Sequence, residues 1–267
     1  MNWTRVIALT LSLGVATAVA GEEFRIGGTG AALGTMRLLA DAFTRQDPAI
    51  LITTVPSLGS GGSIKAMHAG AIGLSVTSRP LKEAERRLGL QEIEYARTPF
   101  VFAVAARSAS EAITTAELAD IYGGRKTTWA DGSRVRVVLR PISDIDTKLV
   151  KSISPEVGAA ATLAEARPGV RFAVSDHDAA QDLETIPGAV GPSTLALIIS
   201  EGRALRPLAL NGVAPTTMAA ASGQYPYFKR LFFVTKPKPA PAVARFITFV
   251  RSPAGRMVLE RSGHWIP

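Results

Sequence analysis

The 267-residue sequence predicts an α/β fold of two units, each a mostly parallel sheet flanked by helices. Three observations predict it. Strand-like and helix-like segments alternate from Glu23 to Leu88, and a second alternation runs from about 103 to 224. Tyr225-Pro226-Tyr227 then leads into an apolar strand and two closing helices.

The elements follow in order. Glu23 to Ile26 reads as a strand broken by Gly27-Gly28-Thr29-Gly30. Ala31 to Phe43 reads as a helix, because Leu33, Met36, Leu39, Ala40 and Phe43 recur at helical spacing. Asp47-Pro48 ends it, and Ile50 to Val55 is the next strand. Ser57-Leu58-Gly59-Ser60-Gly61-Gly62-Ser63 turns into a short helix from Ile64 to Ala69. Ile72 to Val76 is a third strand, closed by Thr77-Ser78-Arg79-Pro80, with a helix over Lys82 to Leu88. Phe100 to Ala105 is a longer apolar strand. Thr114 to Tyr122 is a helix capped by Thr114 or Thr115 and stopped by Gly123-Gly124. Val135 to Leu139, Val170 to Val174, Gly188 to Gly191 and Leu205 to Leu210 read as strands, with a helix starting at Asp144. Leu231 to Val234 is the returning strand. After the proline-rich Lys236 to Pro241 come helices over Val243 to Val250 and Ala254 to Arg261, and His264-Trp265-Ile266-Pro267 reads as a packed tail.

Residues 1–20 read as a secretory signal peptide: Arg5, an apolar stretch from Val6 to Val19, then Ala18-Val19-Ala20 as a cleavage site. Export to a bacterial periplasm is expected, and the absence of cysteine excludes both disulfides and a lipid-modified N-terminal cysteine. The formal charge is +8, yet no run of five basic residues occurs and aromatics make up 6%, which argues against nucleic acid and for small anions or plain solubility. The organisation expected is a leader at 1–20, a first lobe over 21–102, a second over 103–224, and a return to the first over 225–267.

The chemistry concentrates in glycine- and serine-rich corners between strands and helices. Such corners aim backbone N–H groups and hydroxyls at one point, which suits an oxyanion. Ser57 to Lys65 is the richest. It lacks Walker spacing, because Ile64 precedes Lys65 and Ala66 follows it. Gly28-Thr29-Gly30 fails as a dinucleotide fingerprint, since Leu33 stands where a third glycine is due, but survives as a second anion-facing helix start. Arg79 in the third corner either faces the ligand or pairs with Glu83 or Glu85. Arg140 at a strand end offers a positive contact from the second lobe. Ser143 with Asp146 resembles a capping box, and Asp144 either offsets its helix dipole or holds a protonated part of a ligand. Ser175-Asp176-His177-Asp178 bunches triad residue types, but sequence neighbours cannot adopt triad geometry. The Asp176, Asp178 and Asp182 cluster reads as a solvated acidic loop, with calcium binding or metal-dependent hydrolysis as the rival reading.

Several of these segments together resemble the periplasmic phosphate-binding proteins of ABC transporters. The carrying residues are Gly28-Thr29-Gly30, Ser57 to Lys65, Ser78-Arg79-Pro80-Leu81-Lys82, Tyr225-Pro226, and Phe246 to Gly255 leading to Gly263 and Pro267. The resemblance implies a two-lobed type II periplasmic binding fold closing by hinge motion, no catalytic activity, no cofactor and no metal. It implies phosphate contacts at Thr29 and Gly30, at Ser60, Gly61 and Gly62, at Arg79, and at Arg140 with Ser143 and Asp144. It also implies a monomer that delivers its anion to an ABC permease or reports it to a membrane sensor. Two positions depart from the family pattern. Arg79 stands where some members have aspartate, and Ser143-Asp144-Ile145-Asp146 replaces a Ser-Gly-Thr helix start. Those carboxylates suit a dianion only by pointing away or accepting a ligand proton. The alternative within the binding class is a diverged relative whose ligand has both an anionic and a protonated group; an adhesion protein would leave the cleft unused.

Overall fold

The computed structural model describes residues 22–267, so the leader read at 1–20 lies outside the described residues. The first unit follows the predicted alternation: β1 (Glu22–Gly28), α1 (Gly30–Thr44), β2 (Ile50–Thr54), α2 (Gly59–His68), β3 (Leu74–Thr77) and the short α3 (Glu83–Arg86). β1 pairs in parallel with β2 on one side and β3 on the other. α1 buries the stripe read from the sequence, Leu33, Met36, Leu39, Ala40 and Phe43. Phe43 meets Phe246 edge-on at 5.6 Å, which joins this helix to the C-terminal ones.

β4 (Gln91–Ala105) is the long strand that links the two halves. Up to Pro99 it pairs antiparallel with the returning β11 (Phe228–Thr235); from Phe100 onward it pairs with β8 (Ala189–Thr194) and β9 (Leu205–Pro207). The second half also contains β5 (Ala112–Ile113), α4 (Thr115–Gly123), β6 (Arg136–Leu139), α5 (Ile145–Lys151) and α6 (Pro155–Glu165). It continues through β7 (Arg171–Phe172), α7 (Asp176–Thr185), α8 (Leu195–Ser200), β10 (Ala209–Leu210) and α9 (Thr217–Ala221). After β11, α10 (Pro241–Arg251) and α11 (Pro253–Arg261) close the chain. The main sheet runs β2-β1-β3-β11-β4-β8-β6-β7. One apolar core gathers residues from 24 to 96 and from 231 to 259, while two others lie wholly between 100 and 225.

The structure differs from the sequence reading at several points: β5, α6, α8 and α9 are absent from that reading, α2 starts at Gly59 rather than Ile64, and four further differences have a clear physical reason. β4 begins at Gln91 rather than Phe100, because pairing with β11 overrides the weak strand preference of Gln91, Glu92 and Glu94. The expected acidic loop at Asp176 is the helix α7, capped reciprocally by Ser175 and Asp178 and anchored by buried Ala179, Ala180 and Leu183. The strand expected over Leu205 to Leu210 is broken at Leu208 into β9 and β10. The cap of α5 is Asp144, which accepts from the Asp146 N–H, rather than Ser143. Among the described residues no helix is long and apolar enough to cross a membrane.

Candidate anion-binding cleft

The parallel strands β1, β3, β6 and β7 all end toward one cleft, and the corners that follow them line it. The cavity is about 330 Å³. Of the residues singled out in the sequence it gathers Thr29, Ser60, Gly61, Arg79, Arg140, Ser143 and Asp144, and leaves out Gly30 and Gly62. Gly30 serves another end: a Cβ there would lie 2.9 Å from Asp176 Cβ, so its lack of a side chain lets α1 approach α7.

The first-unit wall is made of donors. Neither α1 nor α2 has a side chain capping its first turn, so the leading N–H groups face the cleft end of each helix. Gly59 opens α2 with φ +63°, a conformation suited to glycine. Ser60 Oγ accepts from the Ser78 N–H at 3.1 Å, and the two hydroxyls are 3.2 Å apart. Beneath them the Ser75 hydroxyl donates to Ser63 Oγ at 2.7 Å. Arg79 reaches the cavity, but its guanidinium donates a fork of two 2.7 Å hydrogen bonds to Glu85, one of the pairings read as its alternative.

The second-unit wall carries carboxylates. Arg140 is only 4% exposed and turns back into its own unit. It donates to Ala173 O at 2.7 Å and to Asp144 Oδ2 at 2.9 Å, and its Nε lies 3.6 Å from Asp146 Oδ2. The free counter-charge expected of Arg140 is therefore largely neutralised before any ligand arrives. Asp146 points away from the cavity, buried against Lys229. Asp176 faces the cavity and joins the units: its Oδ2 accepts from the Thr29 hydroxyl at 2.9 Å, and its Oδ1 lies 3.0 Å from Lys229 Nζ.

Lys229 escapes a sequence reading, and Asp176, singled out there only as part of an acidic loop, escapes it as a member of the cleft. Lys229 stands beside the exposed Arg230 at the start of a strand that is otherwise apolar up to Thr235, and it is 1% exposed. Its partners Asp146 and Asp176 lie on two helices far away in the chain. Five charged groups thus share one buried cluster: Arg140 and Lys229 against Asp144, Asp146 and Asp176. Burial opposes the charge of Asp176, but Lys229, Arg140 and the Thr29 hydroxyl hold its carboxyl well below the usual range. Burial likewise opposes the charge of Lys229, yet Asp146 and Asp176 raise its affinity for its proton. Asp146, the most enclosed carboxylate, is pushed up to about 6 by burial, with Lys229 opposing and Asp176 and Asp144 adding to the rise. Asp146 is therefore a group that takes up a proton as pH falls toward 6.

The profile of the PBP superfamily domain matches residues 14–254. The chain belongs to that family. Among solved structures it is similar to a substrate-binding protein assigned to a phosphate ABC transporter of Clostridium perfringens, determined with bound phosphate. That likeness has a TM-score of 0.76 at 19% identity and covers 92% of this chain and 100% of the other. It is also similar to the periplasmic molybdate-binding protein of Azotobacter vinelandii, with a TM-score of 0.62 at 14% identity over 91% of this chain and 99% of that one. An ABC-type phosphate transport receptor from Vibrio cholerae gives a TM-score of 0.60 at 18% identity, covering 91% and 100%. No curated protein matches the sequence. The fold is thus the two-lobed α/β fold of the superfamily, whose members here are binding proteins rather than enzymes. The hydrolase reading of the acidic cluster fails on geometry as well. Asp178 caps Ser175, Asp182 pairs with Arg171, and only Asp176 faces the cleft.

Proposed function

We propose that this chain is an exported solute-binding protein that captures a protonated oxyanion, phosphate first, between its two units for an ABC permease or a membrane sensor. One observation carries the reading: hydroxyls and helix N-termini on one wall of a 330 Å³ cavity face the carboxylates Asp144 and Asp176 on the other. The donor wall suits P–O⁻ oxygens. The carboxylates need a ligand proton, which phosphate and arsenate carry near neutral pH and sulfate does not. The apolar leader at 1–20 supports export, and the phosphate- and molybdate-binding relatives support an oxyanion.

Calorimetry with phosphate, arsenate and sulfate tests it. Phosphate and arsenate are expected to bind in the micromolar range or tighter, with sulfate far weaker. Asp144→Asn should weaken phosphate by about 10- to 100-fold, the worth of one charge-assisted hydrogen bond, and narrow the gap to sulfate. Phosphate failing to bind would favour the second reading that the same opposed walls support, a small zwitterion with its cationic end on Asp144 and Asp176; an amino-acid panel in the same instrument distinguishes the two.

A further inference from the structure

At the opposite end of β6 from the cleft, the second unit carries a groove of about 480 Å³ lined by Lys126, Arg134, Arg136, Arg167 and Arg171 and by no carboxylate. β6 begins at Arg136 in this groove and ends at Leu139, next to Arg140 of the cleft, so a strand length of about 10 Å separates the two. Lys126 is paired with Glu117 and Arg171 with Asp182. Arg134, Arg136 and Arg167 make no ion pair among the described residues. Other arginines, such as Arg45 and Arg107, also lack an ion pair among the described residues; what sets these three apart is that they share one groove.

The backbone holds these guanidinium groups in place. Gly188, at φ +71°, packs so closely on the chain at Arg134 that a Cβ would lie 2.1 Å from Arg134 O. Arg136 donates to Pro187 O at 2.7 Å, fixing its side chain along the same edge. Arg167 donates to Tyr122 O at 2.7 Å and lies over Gly124, where a Cβ would sit 3.0 Å from its Nη2. The floor between them is apolar, made by Ile121, Val137, Val170 and Ile186. Cations gathered in a concavity raise the local potential, and the guanidinium fork matches phosphate and carboxylate oxygens. The volume is that of a small-molecule site.

We propose that this groove binds an organic polyanion, a molecule carrying two or more phosphate groups on an apolar body. Such a ligand neutralises the unpaired arginines while its body covers the apolar floor. A diphosphate-bearing lipid headgroup presents the same chemistry as a free nucleotide, and the test separates them.

Titration calorimetry with adenosine triphosphate at about 50 mM salt, where screening is weak, reads the soluble arm. Flotation with cardiolipin-containing and pure phosphatidylcholine vesicles reads the lipid arm. Arg134→Ser/Arg136→Ser should weaken binding about tenfold or more, with the unfolding midpoint unchanged because both side chains are exposed. Arg134→Ser alone, which removes no side-chain hydrogen bond or ion pair found among the described residues, should give a smaller loss. Lys236→Ser/Lys238→Ser removes the same charge from another exposed surface and should leave binding intact. Arginine-dependent binding to cardiolipin vesicles but not to the nucleotide identifies a headgroup as the ligand. Binding to neither probe, binding undiminished in the groove variant, or an equal loss in the lysine variant overturns the proposal.

Discussion

His264 is 1% exposed, with Nδ1 3.2 Å from Leu259 O and no hydrogen-bond partner for Nε2 among the described residues. Burial pushes its pKa down to about 4, although nearby backbone groups oppose the fall. A histidine whose folded pKa is depressed stabilises the fold in full above its unfolded value of 6.5. It loses that contribution as pH falls through the folded value. Between pH 6.5 and 4 the loss is about 3 kcal/mol. His264→Leu should therefore flatten the pH dependence of urea unfolding in that window, leaving the slope due to carboxylates. An unchanged slope would mean that the imidazole is solvated on protonation without unfolding. The packed tail was readable in the sequence because His264-Trp265-Ile266 follows a glycine stop, and the structure bridges Trp265 to Arg97. The burial that sets the pKa was not readable, because it depends on packing against distant elements. The same holds for Gly28: its place before a helix start is visible in sequence, but its close approach to Val76 O, 2.0 Å from where a Cβ would stand, belongs to the pairing of β1 with β3.

β11 is the element that places Lys229 beneath the cleft, between Asp146 of α5 and Asp176 of α7. Removing one member of a buried ion cluster strands the others in a medium that solvates charge poorly, at a typical cost of about 3–5 kcal/mol. Lys229→Met should lower stability by that order, read from denaturant midpoints. Lys229→Met/Asp146→Asn should recover part of it, because it removes the carboxylate whose proton affinity is already raised. A double variant no more stable than the single one would place the cost in packing instead of charge. Elements with strong punctuation were legible: of the caps read as Thr114 or Thr115 the structure uses Thr114, with Gly124 of the Gly123-Gly124 stop ending α4, and Glu117 completes a capping box that the sequence reading did not name. α7 was not legible because its first turn is polar and its buried stripe holds two alanines, an aspartate and a single leucine, so neither hydropathy nor size announces a core face. Seven of the nine residues singled out for the site do line the cavity, since each sits at a strand-to-helix corner that local pattern can locate. What pattern cannot locate is the partner of each charge, and here Glu85, Asp176 and Lys229 decide how much of that charge is free.

At the scale of the molecule, two chain crossings join the halves, β4 at Pro99–Phe100 and the segment before β11. They are tied by the Phe100 N–H donating to Tyr227 O at 3.0 Å and by the Tyr225 hydroxyl donating to Phe100 O at 2.9 Å. Such a paired ribbon permits bending while resisting separation. The halves also meet through side chains, Thr29 on Asp176, Arg37 on Glu201 and Lys229 on Asp146 and Asp176, and through α1 packed on α8, where a Cβ at Gly34 would lie 2.4 Å from Ser200 Oγ. The walls are in contact at these points, and a ligand touching both adds energy that favours the closed arrangement over an open one. Phosphate should then reduce the radius of gyration of the wild-type protein in small-angle scattering. Thr29→Val deletes one hydrogen bond that forms only when the walls meet, while Lys229 still satisfies Asp176. Its phosphate affinity should fall about three- to tenfold, the net worth of such a bond, with the saturated radius unchanged. Calorimetric binding with no change of radius in either protein would show that the walls are already set at their bound separation. The Thr29–Asp176 bond would then position the donor wall and take no part in closing it.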